Sequence, residues 1–258
     1  MLLLRLPAKP ALRRPGMPGR TALVLWLFLP LALPAASPQK ESGLAKAAPG
    51  VPASRDAPAL VLAHDRGIFR ILSNGQQIGT ERFEINSTAD GYRAHGEIRV
   101  KLPNAAEASE TASLTLNRSL EVTSYERLQK SPKKASVTVQ FDPDRARAHY
   151  RAPEGESDYE YYLERKVVVL DTNFFHHFTF LLQQYDFVRG GAQHISVFVP
   201  QEASPGMVLV EYVGKDEGRD KWVAKTEALE IHLWTDEARH LVKLAVPSAK
   251  VEVVREAK

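Results

Sequence analysis

The chain has 258 residues, 44% of them hydrophobic, with 34 Lys and Arg against 31 Asp and Glu and no cysteine. That length buries a sizeable core in one or two domains, and the missing cysteine excludes disulfides, thiol catalysis and a lipid-modified N-terminal Cys. The formal charge of +3 comes from the N-terminus: residues 1–36 hold five Lys or Arg and no acid, and the remainder balances 29 basic against 31 acidic residues, which gives no general attraction to nucleic acid or anionic lipid.

Arg5, Lys9, Arg13, Arg14 and Arg20 precede the apolar run TALVLWLFLPLALP, and the small residues Ala35-Ala36-Ser37 follow it. Positive charge, apolar stretch and small residues in that order predict a secretory signal over 1–36, cut after Ala36, and a periplasmic or secreted product. A retained anchor is the second reading, in which this segment alone would contact the membrane. The run is short for a span and contains Pro30 and Pro34. Met17 opens a more ordinary signal than Met1 and is an alternative start. Arg13-Arg14 lacks the apolar residues that accompany a twin-arginine signal. Residues 37–66 are rich in Ala, Pro and small polar residues without an apolar period, the composition of a flexible leader.

From Gly67 onward the texture changes to short segments of period-two alternation broken by turn residues, which predicts a large antiparallel sheet. The first pair, IFRILSNGQQIGTERFEI, has Asn74-Gly75 between two strands, a dipeptide suited to a type I′ turn because both central residues need positive φ. Ile78 and Phe83 differ in parity, and Gly79 between them predicts a bulge. YRAHGEIRV, TASLTLN, EVTSYERL, SVTVQFD and RARAHYRA follow, the last two joined by the turn Asp142-Pro143-Asp144. Each is half apolar and half polar, giving one dry face and one wet face. PEGESDYEYYLERKVVVLD then reads as one long strand leading to a helix.

In DTNFFHHFTFLLQQYDFVRGG, Phe174, Phe175, Phe178, Leu181, Leu182 and Tyr185 fall on one arc of about 120° at roughly 100° per residue. Asp171 is placed to cap the start and Gly190-Gly191 to stop the helix. His176, Thr179, Gln183 and Gln184 lie off the stripe and are expected on a wetter side, with Phe180 needing a second contact. ISVFVPQ, GMVLVEYVGK, TEALEIHLWTD, HLVKLAVPS and KVEVVRE return to strand patterning. The fold expected is mainly β: a single domain over 67–258, a curved antiparallel meander or half-barrel of about 12 strands wrapped around one α-helix near 172–187.

The opening GIFRILSNGQQIGTERFEI, with its G-T-E-x-F strand, and the closing HLWTDEARHLVKLAVPSAKVEVV, with Trp-Thr-Asp and L-V-K-L strands, resemble exported bacterial domains of unknown function. Those in turn resemble the lipoprotein-carrier half-barrel, in which a long sheet wraps a helix and holds an acyl chain. The resemblance spans about Gly67 to Arg255 and implies fold and compartment, with an apolar ligand as a further step.

The motifs searched for catalysis are missing: no G-x-S-x-G, S-x-x-K, Walker loop, dinucleotide fingerprint or calcium loop occurs. His176 and His177 diverge by roughly 100° on a helix, so they do not form the i, i+4 pair of a metal site, and no metal or cofactor is expected. Arg165 breaks the apolar row of its strand and is the candidate contact for an anionic headgroup, with an edge position or ion pair as the simpler account. SPKK at 131–134 lacks aromatic company for nucleic acid, and the sequons at Asn86 and Asn117 are short enough to be chance. Phe174, Phe178, Leu181, Leu182 and Trp234 are the candidate lining residues of an apolar space between helix and sheet, the competing account being packed core. The function expected is non-enzymatic carriage or sensing of a lipid or acylated ligand. An envelope interaction module is the alternative, and a hydrolase without recognisable motif stands third.

Overall fold

A computed structural model describes residues 64–163, 166–201 and 204–257; the expected signal, residues 37–63 of the leader and Arg165 lie outside the described residues. Fifteen strands form one sheet: β1 (Asp65–Ser73), β2 (Gln76–Thr88), β3 (Gly91–Val100), β4 (Ala108–Asn117), β5 (Val122–Ser131), β6 (Ala135–Asp142), β7 (Arg145–Ala152), β8 (Gly155–Tyr162), β9 (Val168–Val169), β10 (Gln193–Val199), β11 (Ser204–Asp216), β12 (Arg219–Lys225), β13 (Glu230–Thr235), β14 (Leu241–Val246) and β15 (Val251–Arg255). Their order across the sheet runs from β8 down to β1, then β15 down to β9. All neighbours are antiparallel except β9 and β10. The meander expected from the alternation is therefore present, with 15 strands instead of about 12.

Two differences account for most of that count. The residues Arg219–Lys225 form β12 although Asp220 and Lys221 obscure its period, and a two-residue turn with positive φ at Glu217 and Gly218 joins it to β11. The long strand expected over 155–170 is two pieces: β8 ends at Tyr162, and β9 pairs with β10 at the far edge of the sheet. The Asn74-Gly75 turn has φ of 51° and 78°, as its dipeptide requires. Register shifts beside Gly79, where Ile71 faces Gly79 but Leu72 faces Gln77, so Ile78 is the bulged residue.

The sheet overlaps itself instead of closing edge to edge. Phe198, on the face of β10 opposite Val197, meets Phe141 of β6 and Tyr161 of β8 with ring centroids 5.5 and 5.6 Å apart. Tyr150 of β7 donates its hydroxyl to the Pro200 carbonyl at 2.8 Å. Apolar rows from both halves of the roll face inward, among them Phe69, Ile85, Leu114 and Val139 from one half and Val197, Val210, Leu233 and Leu244 from the other.

The helix is shorter than its apolar stripe: α1 is His177–Gln183, seven residues instead of 172–187. The preceding turns are tighter, with Phe174, His177, Phe178 and Thr179 donating N–H bonds to carbonyls three residues back. His176, not Asp171, occupies the N-cap, and Gly190 and Gly191 adopt positive φ several residues beyond the helix end. No wet side exists. His176, His177, Thr179 and Phe180 are all buried, because the roll covers the helix on both sides.

Candidate functional site

The segment Leu170–Phe178 forms a strap across the inside of the roll, between two walls of opposite chemistry. One wall is polar. Alternation in β2 puts Glu81 in the dry row with Phe83 and Ile85, and alternation in β4 puts Glu110 in the row of Ala108, Ala112 and Leu114. Arg127 follows Tyr125 in the inward row of β5. Charged groups in a dry row must find partners, and here the partner is the strap.

The Glu81 carboxylate accepts the Phe175 N–H at 2.9 Å and the His176 N–H at 3.5 Å, and shares a short hydrogen bond with His176 Nδ1. Glu110 accepts from Arg127 Nε at 2.8 Å and from Asn173 Nδ2 at 3.2 Å. Asp171 accepts from the Tyr125 hydroxyl, the Gln201 side-chain amide and the Asn173 N–H, with Arg127 at 4.0 Å. Gly96 makes the approach possible. A Cβ there would lie 2.7 Å from His176 Cε1 and 2.8 Å from Phe174 Cδ1.

Burial sets the ionisation of this wall. It pushes the Glu81 carboxyl up to about 8 against the two backbone N–H bonds that favour its charge, and pushes His176 down to about 3. The pair is therefore neutral near pH 7, with a proton between Glu81 and Nδ1. Burial likewise raises Asp171, although Arg127 opposes it, and lowers His177 well below its usual value. Burial works against the Arg127 charge, but Asp171 and Glu110 outweigh it and keep the guanidinium protonated. Three polar atoms of this wall are left over: His176 Nε2, His177 Nε2 and Gln201 Oε1 have no hydrogen-bond partner. The two imidazole rings stand 4.5 Å apart at 76°. Among the described residues no group of three or more His, Cys, Asp or Glu is arranged to hold a metal.

The opposite wall is apolar. Leu170, Thr172 and Phe178 face Val197, Val199, Val208, Ile231 and Leu244 of β10, β11, β13 and β14, with Thr226 and Leu229 beside them, across a narrow hollow of about 30 Å³. Asp171 borders it, but its carboxylate oxygens are engaged on the polar side.

Of the candidate lining residues, Phe178 borders the hollow. Phe174 lies instead beside His176, His177 and Gly96, while Leu181 and Leu182 are buried in the core. Trp234 is on the outer face of β13, between the ammonium groups of Lys221 and Lys243 at 5.2 and 5.0 Å from its ring centre, with Nε1 bonded to Asp216. Strand parity decides this: Ile231, Leu233 and Thr235 point inward, so His232 and Trp234 point out. Trp222 is the inward tryptophan, against Tyr185 and Phe187. The polar wall was legible as Glu81 and Glu110 in phase with apolar neighbours, a signal outweighed by the Phe-rich stripe.

No family model matches the chain, and no curated protein matches it. Two solved structures are similar in fold. A β-barrel-like protein of the domain of unknown function DUF1849 from Brucella abortus is 9% identical with a TM-score of 0.49, over 76% of this chain and 96% of that one. A DUF1089 family protein from Pseudomonas aeruginosa is 12% identical with a TM-score of 0.39, over 63% and 87%.

Proposed function

We propose that this is an exported, non-enzymatic envelope protein that binds the hydrocarbon part of a lipid or acylated ligand in the hollow beside the strap. The observation that carries this reading is the chemistry of the hollow wall: Leu170, Phe178, Val199, Val208, Ile231 and Leu244 dominate it, and beside the engaged Asp171 its polar side chains are Thr172 and Thr226, the latter bonded to the backbone of Ala228 and Leu229. An apolar chain entering it would leave water without stripping any polar partner. The strap gives the hollow a fixed wall, because Asp171 and Phe175 are held from behind by Tyr125, Gln201 and Glu81.

Native mass spectrometry of the protein purified from an envelope fraction, followed by organic extraction, tests it. A lipid-mass adduct that extracts into chloroform, and that is lost in Ile231→Trp and reduced in Val208→Leu, is the expected result. A clean unliganded mass, or an adduct unaffected by either filling substitution in folded protein, overturns it.

A further inference from the structure

Among the described residues β8 has a single neighbour, β7, so its other side is an open sheet edge. The phase of that edge follows from the ladder. The Leu163 N–H bonds to the Asp144 carbonyl at 2.8 Å, which continues the pairing of Tyr162 with Arg145 by one residue. In an antiparallel ladder successive residues turn their N–H and C=O groups to alternate sides. Tyr161, Tyr159 and Ser157 therefore bond to β7, and Glu156, Asp158, Glu160 and Tyr162 direct theirs to the open side.

The same residues carry the edge's side-chain signal. Glu156, Asp158 and Glu160 lie on one face, opposite Arg151, His149 and Arg147 of β7; the first two bond to their opposite residues at 2.6 and 2.8 Å, and Glu160 bonds diagonally to Arg145 at 2.8 Å. They remain 52%, 83% and 44% exposed in spite of those partners. A basic strand is followed by an acidic one, and the next position across the sheet is vacant. On the other face Tyr159 and Tyr161 stack at 6.2 Å, with Tyr159 partly exposed.

We infer that the open edge of β8 docks an extended segment of another protein that carries Lys or Arg at every second residue. Residues directly opposite across a ladder share a face, so bases facing Glu156, Asp158 and Glu160 extend the charge alternation while the intervening side chains lie beside the tyrosines. The edge disfavours a second copy of this chain. Antiparallel pairing of two β8 strands bonds only when outward-directed residues face each other, and every such register sets acids against acids.

Hydrogen exchange of the protein with a short synthetic peptide alternating Lys with Thr and Val, and with its Glu-for-Lys counterpart, tests the inference. The basic peptide should slow exchange at the amides of Glu156, Asp158, Glu160 and Tyr162, and the acidic one should not. Asp158→Lys should weaken binding about tenfold. Asp158→Pro should abolish binding without unfolding the protein, since that N–H takes no part in the β7 ladder. Equal binding of both peptides, no slowing at these amides, or unchanged binding to a folded Asp158→Pro variant would overturn it.

Discussion

The two walls on either side of the strap are built from the same strand geometry and hold it by different means. Toward β2, β4 and β5 the strap is fixed by the hydrogen bonds it donates to Glu81 and Glu110, the one it accepts from Tyr125, and an ion pair with Arg127. Toward β10, β11, β13 and β14 it meets mostly aliphatic side chains, with Thr226 among them, around a hollow. Hydrogen bonds are directional and costly to leave unmade, so the polar wall dictates one position for the strap; aliphatic packing tolerates changes of volume. The hydrogen-bonded side and the aliphatic side are thus separated by the thickness of one chain segment.

The largest expected effect tests the polar wall. Arg127→Leu leaves Asp171 and Glu110 buried without their cation and should cost about 3–5 kcal/mol in chemical denaturation. If the loss is under about 1 kcal/mol, the wall is not what holds the strap.

A pH profile separates the walls next. Glu81 is protonated more readily folded than unfolded, so its contribution to stability is lost as pH rises from about 4.5 toward 8. His176 is protonated less readily folded than unfolded, so stability is also lost as pH falls from about 6.5 toward 3. The two slopes oppose between about 4.5 and 6.5, where these two groups together give a plateau, and stability should drop on either side. His177 steepens the acid limb, and the raised Asp171 contributes stability that is lost as pH rises above about 3.8. Glu81→Gln should flatten the alkaline limb and leave the acid limb, as read from melting temperature against pH.

Gly96→Ala sharpens the comparison further. Its methyl group would meet His176 and Phe174 at under 3 Å, and the expected loss is about 1–3 kcal/mol. The smallest effect belongs to the apolar wall. Val208→Leu adds one methylene to the hollow and should raise stability by up to about 0.8 kcal/mol while weakening ligand uptake. A larger loss at position 208 than at position 96 would invert the assignment of rigid and adaptable sides.

Some of this arrangement is visible in the chain as written. Period-two alternation marks most strands because a pleated strand with one dry face has no other pattern available. Asn74-Gly75 and the parity change around Gly79 mark the first hairpin and its bulge, since positive φ and a missing Cβ are local requirements. Glu81 and Glu110 stand in dry rows, so a buried charge was legible in β2 and β4 even though its partner was not. The partner was hidden because Glu81 and His176 are 95 residues apart, and nothing local to either names the other.

Local residue chemistry, then, determined the strands, the first turn and the inward phase of the acids. Tertiary structure decided the rest. The Phe-rich stripe specified burial but not length: α1 stops at seven residues because Glu81 and Glu110 take the N–H and amide groups of the preceding turn, and the roll covers His176 and Thr179, which the periodicity left wet. Trp234 likewise reads as aromatic and therefore inward, until the register of β13 with β12 and β14 places it outside between two lysines. A sequence specifies which groups must be satisfied, and only the overlapped roll brings together the groups that satisfy them.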